Sequence, residues 1–213
     1  MRMLLVIVCG LTLFACHHKQ EVDGELTIEW QEQLKGDYAF AKAWDYPEGV
    51  YKNSYGQVSC DGFCPPETDA MKDSTGRIYK DSLSAFYALV DTTHRFHSLQ
   101  GEAQCDEYAG ADYMIAQRKH DTVVCYSLCN AATHCSLHLR IIGDHCRAEV
   151  KLLSIAGGNT RTYRCKSGFI RIDRGAWKQD TLKAEFDMAF EKDSLSGKPV
   201  SWKGKTDTPI LKE

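Results

Sequence analysis

The chain has 213 residues, with 26 Lys plus Arg against 29 Asp plus Glu, a formal charge of −3 and a pI of about 6.2. That length suits one domain with a proper hydrophobic core. The mild acidity argues against a nucleic-acid partner, whose binder would show a basic face and a high pI, and the 10 cysteines argue against a reduced cytosolic protein and for export to an oxidising compartment.

In residues 1–15 the sole charge is Arg2, and it precedes an apolar run from Leu4 to Phe14 broken only by Gly10 and Thr12. This is the pattern of a cleavable export signal. Its apolar part is about half of the roughly 20 residues that a transmembrane helix needs. The stretch Leu13-Phe14-Ala15-Cys16 resembles the lipobox of bacterial lipoproteins. The resemblance implies cleavage before Cys16, attachment of lipid such as palmitate to Cys16, and a membrane contact made through that lipid. It also implies a cell-envelope location, with the outer membrane ahead of the inner membrane because His17 stands where the retention signal has Asp. Residues 16–24 then form the lipidated cysteine and a polar tether, and residues 25–213 a single domain.

Glu25 to Trp44 reads as a helix from the spacing of Leu26, Trp30 and Leu34. Residues 45–76, rich in Gly, Pro, Asp and Ser, read as a long loop-rich insertion, a kind of segment more often functional than idle. Its centre, Cys60-Asp61-Gly62-Phe63-Cys64, places turn chemistry between two cysteines at a spacing that a disulfide tolerates. Asp81 or Ser82 can cap a helix through Leu83, Phe86, Tyr87 and Val90, and the same stripe continues to His94 and His97.

After Gly110 the texture changes to strands. Tyr113 to Arg118, Thr122 to Leu128, Ser136 to Ile142, Ala148 to Ile155, Thr160 to Lys166 and Phe169 to Asp173 are short β-prone runs with glycine-rich connections, which favours antiparallel neighbours. From Leu182 to Phe190 apolar residues alternate with polar ones, the mark of a sheet with one buried face; Val200 to Lys205 adds a last strand. The run from Gly168 to Phe190, with Trp202-Lys203-Gly204-Lys205, resembles the C-terminal β-meander of uncharacterised Bacteroidota-type lipoproteins. The fold class expected is therefore mainly β (α+β): an antiparallel sandwich or curved sheet with one or two N-terminal helices, stapled by disulfides.

With Cys9 in the signal and Cys16 lipidated, the remaining cysteines are Cys60, Cys64, Cys105, Cys125, Cys129, Cys135, Cys146 and Cys165. Their even number in an exported chain reads as a disulfide framework of undetermined pairing. No G-x-S-x-G, H-E-x-x-H, P-loop or G-x-G-x-x-G motif occurs. The cluster Cys125-x3-Cys129-x4-His134-Cys135-x2-His138 could hold zinc or copper, but thiolates in an exported chain tend to oxidise. A histidine-only site drawn from His94, His97, His134 and His138 stays open beside the simpler reading of these residues as border and surface histidines.

The favoured function is a non-catalytic, membrane-tethered binding or interaction module of the envelope, with no cofactor and with an envelope protein or glycan as partner. Tyr46, Tyr51, Tyr55 and Phe63 are the candidate contact residues. The alternatives are a histidine-based metal-binding envelope protein and an envelope hydrolase without a recognisable motif.

Replacing Cys16 with Ala is expected to abolish lipid attachment and normal processing, checked by mass spectrometry of the exported protein. Lipid-free wild-type protein cleaved elsewhere would contradict the lipobox reading.

Overall fold

The computed structural model describes residues 24–46, 49–60, 64–91, 93–128, 133–155 and 157–212. Short strands β1 (Glu25–Thr27) and β2 (Glu29–Gln31) lead to a 3-10 turn at Ala39–Lys42 and strand β3 (Trp44–Asp45). The hairpin β4 (Val50–Lys52) and β5 (Val58–Cys60), helix α1 (Leu83–Leu89) and strand β6 (Arg95–Phe96) follow. The body is built by β7 (Leu99–Gln104), β8 (Met114–Lys119), β9 (Thr122–Ser127), β10 (Cys135–Ile142), β11 (His145–Leu153), β12 (Thr160–Asp173), β13 (Thr181–Phe190) and β14 (Ser201–Lys212), with helix α2 (Arg174–Lys178) between β12 and β13.

The mainly-β, antiparallel, curved sheet is present, and it closes on itself as a barrel. Each strand from β8 to β14 runs antiparallel to the next. Closure falls to β14, whose first half pairs antiparallel with β7, from Ser201↔Gln104 to Thr206↔Leu99. Its second half pairs parallel with β8, from Ile210↔Ala116 to Lys212↔Arg118.

Alternation sets what faces inward. Leu182, Ala184, Phe186, Met188 and Phe190 of β13 are buried, as are Leu137, Leu139 and Ile141 of β10 and Cys146, Ala148, Val150 and Leu152 of β11. Trp202, at 0% exposure, fills the barrel with them, and full burial of side chains of this size contributes about 1.5–3 kcal/mol each. Glu185 lies on the outer face and accepts from the Arg171 guanidinium at 2.9 Å.

Two glycine features let the sheet curve this tightly. Gly168, at φ +132°, follows a bulge in β12 between Cys165 and Ser167, and a Cβ there would strike the Asp187 carbonyl. The bulge fuses the expected runs Thr160 to Lys166 and Phe169 to Asp173 into one long strand. Gly101 and Gly204 face each other across β7 and β14, and a Cβ on Gly101 would lie 2.5 Å from the Lys203 carbonyl oxygen.

The N-terminal segment departs from the helix expected for Glu25 to Trp44. β1 pairs antiparallel with β11 through Leu26↔Cys146, and β2 pairs parallel with β12 through Trp30↔Ile172. The chain then wraps outside the barrel: Leu34 N donates to Asp173, the Tyr38 hydroxyl to the Ala184 carbonyl, and Lys205 Nζ to the Asp37 carbonyl. Helix α1 forms where expected but ends at Leu89, so His94 and His97 lie beyond it. No helix among the described residues is long and apolar enough to cross a membrane.

Phe186→Ala is expected to cost about 3–5 kcal/mol in chemical denaturation, because it opens a cavity inside a filled barrel. Asp187→Ala, one residue on and facing out, is expected to cost about 0.5 kcal/mol or less. Equal costs would mean that the strand is buried on both faces.

Candidate functional site

The barrel interior is occupied by its own side chains, so chemistry and recognition fall to the outside. The most prominent exterior feature is a unit spanning residues 44–96. Expected as a loop-rich insertion, it has a core of its own: Val50, Val58, Cys60, Cys64, Ile78, Phe86 and Val90 are buried, with Tyr46, Met71 and Leu83 packed against them. The Cys60–Cys64 disulfide lies within it. Local side chains hold two of its turns. The Asn53 side-chain oxygen accepts from the backbone N–H of Tyr55 and of Gln57, both at 3.0 Å. Asp73 accepts from the Thr75 hydroxyl at 2.7 Å, and bonds from Thr75 and Arg77 hold its carboxyl below the usual range.

On this frame stand all the exposed large aromatics among the described residues: Trp44, Tyr51, Tyr55, Tyr79, Tyr87 and Phe96. Of the expected contact residues, Tyr51 and Tyr55 are exposed, Tyr55 at 88%, whereas Tyr46 is half-buried against the unit's core. Phe63 lies outside the described residues. Trp44, Tyr79, Tyr87 and Phe96 are not among the contact residues expected from the sequence; β3 pairs with β6 through Trp44↔Phe96, and α1, which carries Tyr87, packs on the unit's core through Leu83 and Phe86.

The four histidines are not brought together. His94 stacks on Trp44 with ring centroids 3.8 Å apart, and His97 Nε2 lies 2.7 Å from Asp45 Oδ2. His134 Nδ1 lies 3.4 Å from Glu107 Oε2. His138 faces away from Leu137 and Leu139 as the alternation requires, bonds the Ser136 hydroxyl at 3.0 Å and stacks on Tyr126. Burial lowers the basicity of His138. A histidine-only metal site is therefore not formed, because each ring is held by a different neighbour.

The cysteine expectation is corrected in part. Cys60–Cys64 and Cys105–Cys135 are bridged, but Cys125, Cys146 and Cys165 are free and buried. The reason lies in the register. Cys125 pairs with Leu139 and Cys146 with Ile141, so β10 stands between their strands, and two strand spacings of about 4.8 Å exceed the reach of a disulfide. Burial pushes the Cys125 thiol up to about 12 and the Cys165 thiol up to about 11. Cys146 is raised well above its usual value by burial and by its neighbours Cys125 and Cys165. Cys16 and Cys129 lie outside the described residues.

A pocket of about 360 Å³ at one barrel end is lined by Gln104, Cys105, Asp106, Asp193, Ser196 and Lys198, among others. Its sulfur is bound in the disulfide to Cys135. Its buried carboxylate, Asp193, accepts from the Ser196 hydroxyl at 2.7 Å, from the backbone N–H of Leu195 and Ser196, and from Arg161 and Tyr163. These bonds, that of Ser196 first, hold its carboxyl far below the usual range, so it serves as a turn-forming acceptor. Comparison of the chain with protein-family models, with curated proteins and with solved structures finds no match.

Native, unreduced protein is expected to exclude an alkylating reagent from Cys125, Cys146 and Cys165 up to about pH 9, since buried protonated thiols are unreactive. The same unreduced protein unfolded in guanidinium should label at all three, as read by peptide mass mapping. Protection that persists after unfolding would show that they are bridged.

Proposed function

We propose that the protein is a non-catalytic binding module of the bacterial cell envelope, anchored through lipid on Cys16 and presenting the aromatic surface of residues 44–96 to a protein partner. The anchor and the compartment rest on the resemblance of Leu13 to Cys16 to a lipobox. The binding face rests on one observation: every exposed large aromatic among the described residues sits on the small unit outside the barrel.

Exposed aromatic residues confined to one unit support an interaction role for it, and aromatic residues are enriched where protein interfaces carry their binding energy. Tyrosine and tryptophan bring wide contact area with few rotatable bonds, so ordering them costs little. A protein is favoured over a glycan because these residues are dispersed over a hairpin, a turn, a helix and a strand, whereas small-ligand sites are concave and convergent. The filled barrel supports the unit as a mount.

The test places a photo-crosslinking residue at Tyr55 or Tyr87 in intact cells, with Leu211, exposed on the barrel, as control. A discrete protease-sensitive adduct at the unit and not at Leu211 is expected. Tyr51→Ala with Tyr55→Ala should weaken that capture by roughly thirtyfold, about 2 kcal/mol, with the melting temperature unchanged. An adduct removed by glycan-degrading enzymes would replace the protein partner with a glycan, and equal labelling at Leu211 would overturn the assignment of the face.

A further inference from the structure

The Asp45–His97 pair has a third member that the sequence did not suggest. A carboxylate oxygen of Asp45, a ring nitrogen of His97 and a carboxylate oxygen of Asp112 all lie within 4.8 Å of one another. We propose that these three side chains form a divalent-metal site, built for zinc, that clamps the aromatic unit onto the barrel.

Each ligand is presented by a fixed backbone. Asp45 pairs with Arg95 in the two-stranded β3–β6 ladder, and His97 N donates to the Ala43 carbonyl at 2.9 Å. The Asp112 carbonyl accepts from the N–H of Ser98 at 2.8 Å and of Leu99 at 3.0 Å. That leaves the exposed Asp112 side chain free to turn, and its carboxylate has no hydrogen-bond partner among the described residues. The set thus combines two held ligands with one adjustable one.

A partner outside the ligand set orients it. The Tyr113 hydroxyl donates to Asp45 Oδ2 at 3.1 Å, the same oxygen that His97 meets, and its ring stands edge-on to the imidazole with centroids 5.4 Å apart. A hydrogen bond of this kind to a ligating carboxylate fixes its orientation.

The charge balance points to a cation. Two carboxylate oxygens held within 4.8 Å of each other repel. One divalent ion meets all three groups at once. Imidazole with carboxylates suits zinc, which takes three protein ligands and leaves its fourth position to water. Unlike a thiolate site, this set survives in an oxidising compartment. The bond network would join β3 of the unit, the connection into β7, and the β7–β8 connection of the barrel. The inference does not depend on the partner-binding reading.

The experiment uses the full chain in detergent, stripped with a chelator and titrated with zinc chloride by calorimetry, with metal content and melting temperature measured. Wild type is expected to bind one zinc per chain and to melt higher when loaded. Asp112→Asn and His97→Gln should each weaken zinc at least about 100-fold, and Tyr113→Phe about tenfold. If His97→Gln fails to fold, Asp112→Asn decides, since its side chain is exposed and unbonded. X-ray absorption of the loaded protein should show nitrogen and oxygen neighbours only. No zinc on wild type, undiminished zinc on Asp112→Asn, or sulfur bound to the metal would each overturn the site.

Discussion

Ser98 is the group on which closure of the barrel depends. At the point where β14 exchanges β7 for β8, backbone groups lose their regular ladder partners, and an unpaired buried group costs about 1–3 kcal/mol. The Ser98 hydroxyl supplies both directions: it donates to the Met114 carbonyl at 3.0 Å and accepts from Met114 N at 2.8 Å. Its carbonyl accepts from the Thr206 hydroxyl at 2.7 Å and from Asp207 N at 3.1 Å, and the Thr208 hydroxyl donates to Met114. Three buried hydroxyls thus replace the missing rungs. The opposed pair Gly101 and Gly204 completes the seam by letting β7 and β14 approach without side chains between them.

The strands after residue 113 were legible because each exposes one face to the core and alternates accordingly. β13 is the clearest case, with Leu182 through Phe190 buried at every second position. The same rule applied to the N-terminal segment would have read it correctly. Leu26, Ile28 and Trp30 alternate with Thr27, Glu29 and Gln31, yet the four-residue steps from Leu26 to Trp30 to Leu34 suit a strand period and a helix period alike. Tertiary pairing with β11 and β12 resolves the ambiguity, and that partner is not local. β7 is hard to read from the sequence for a related reason: Gly101 weakens the strand signal at the position that the seam requires to be small.

The outer sites were less legible because they join residues far apart in the chain. Asp45 and His97 are 52 positions apart and Asp45 and Tyr113 are 68 apart, and no local pattern reports such a contact. The sequence drew attention to His97 through a helical stripe, but the helix ends at Leu89 and the residue is placed instead by β6 and by its bond to Ala43. Cysteine parity was a different kind of signal. It counts thiols without locating them, and in Cys125, Cys146 and Cys165 the inward face of three strands uses sulfur as small apolar filling, a role in which burial keeps the thiol protonated.

Seam and exterior are one construction. Ser98, which closes the barrel, directly follows His97, and the Asp112 carbonyl that accepts from Ser98 belongs to the residue whose side chain faces Asp45 and His97. The outer cluster therefore inherits its rigidity from the place where the barrel is sealed, and the unit of residues 44–96 enters and leaves the fold through β3 and β6 at that same place. An appended unit joined by two strands of two residues would swing freely if those strands were its only attachment. Here the strap of residues 32–43 crosses the outside of β13 and β14 before reaching β3, and His97 returns to Ala43 at its end. The entry and exit of the unit are thereby fixed to the seam of the barrel, which lets an exposed aromatic surface hold one orientation without a core large enough to stand alone.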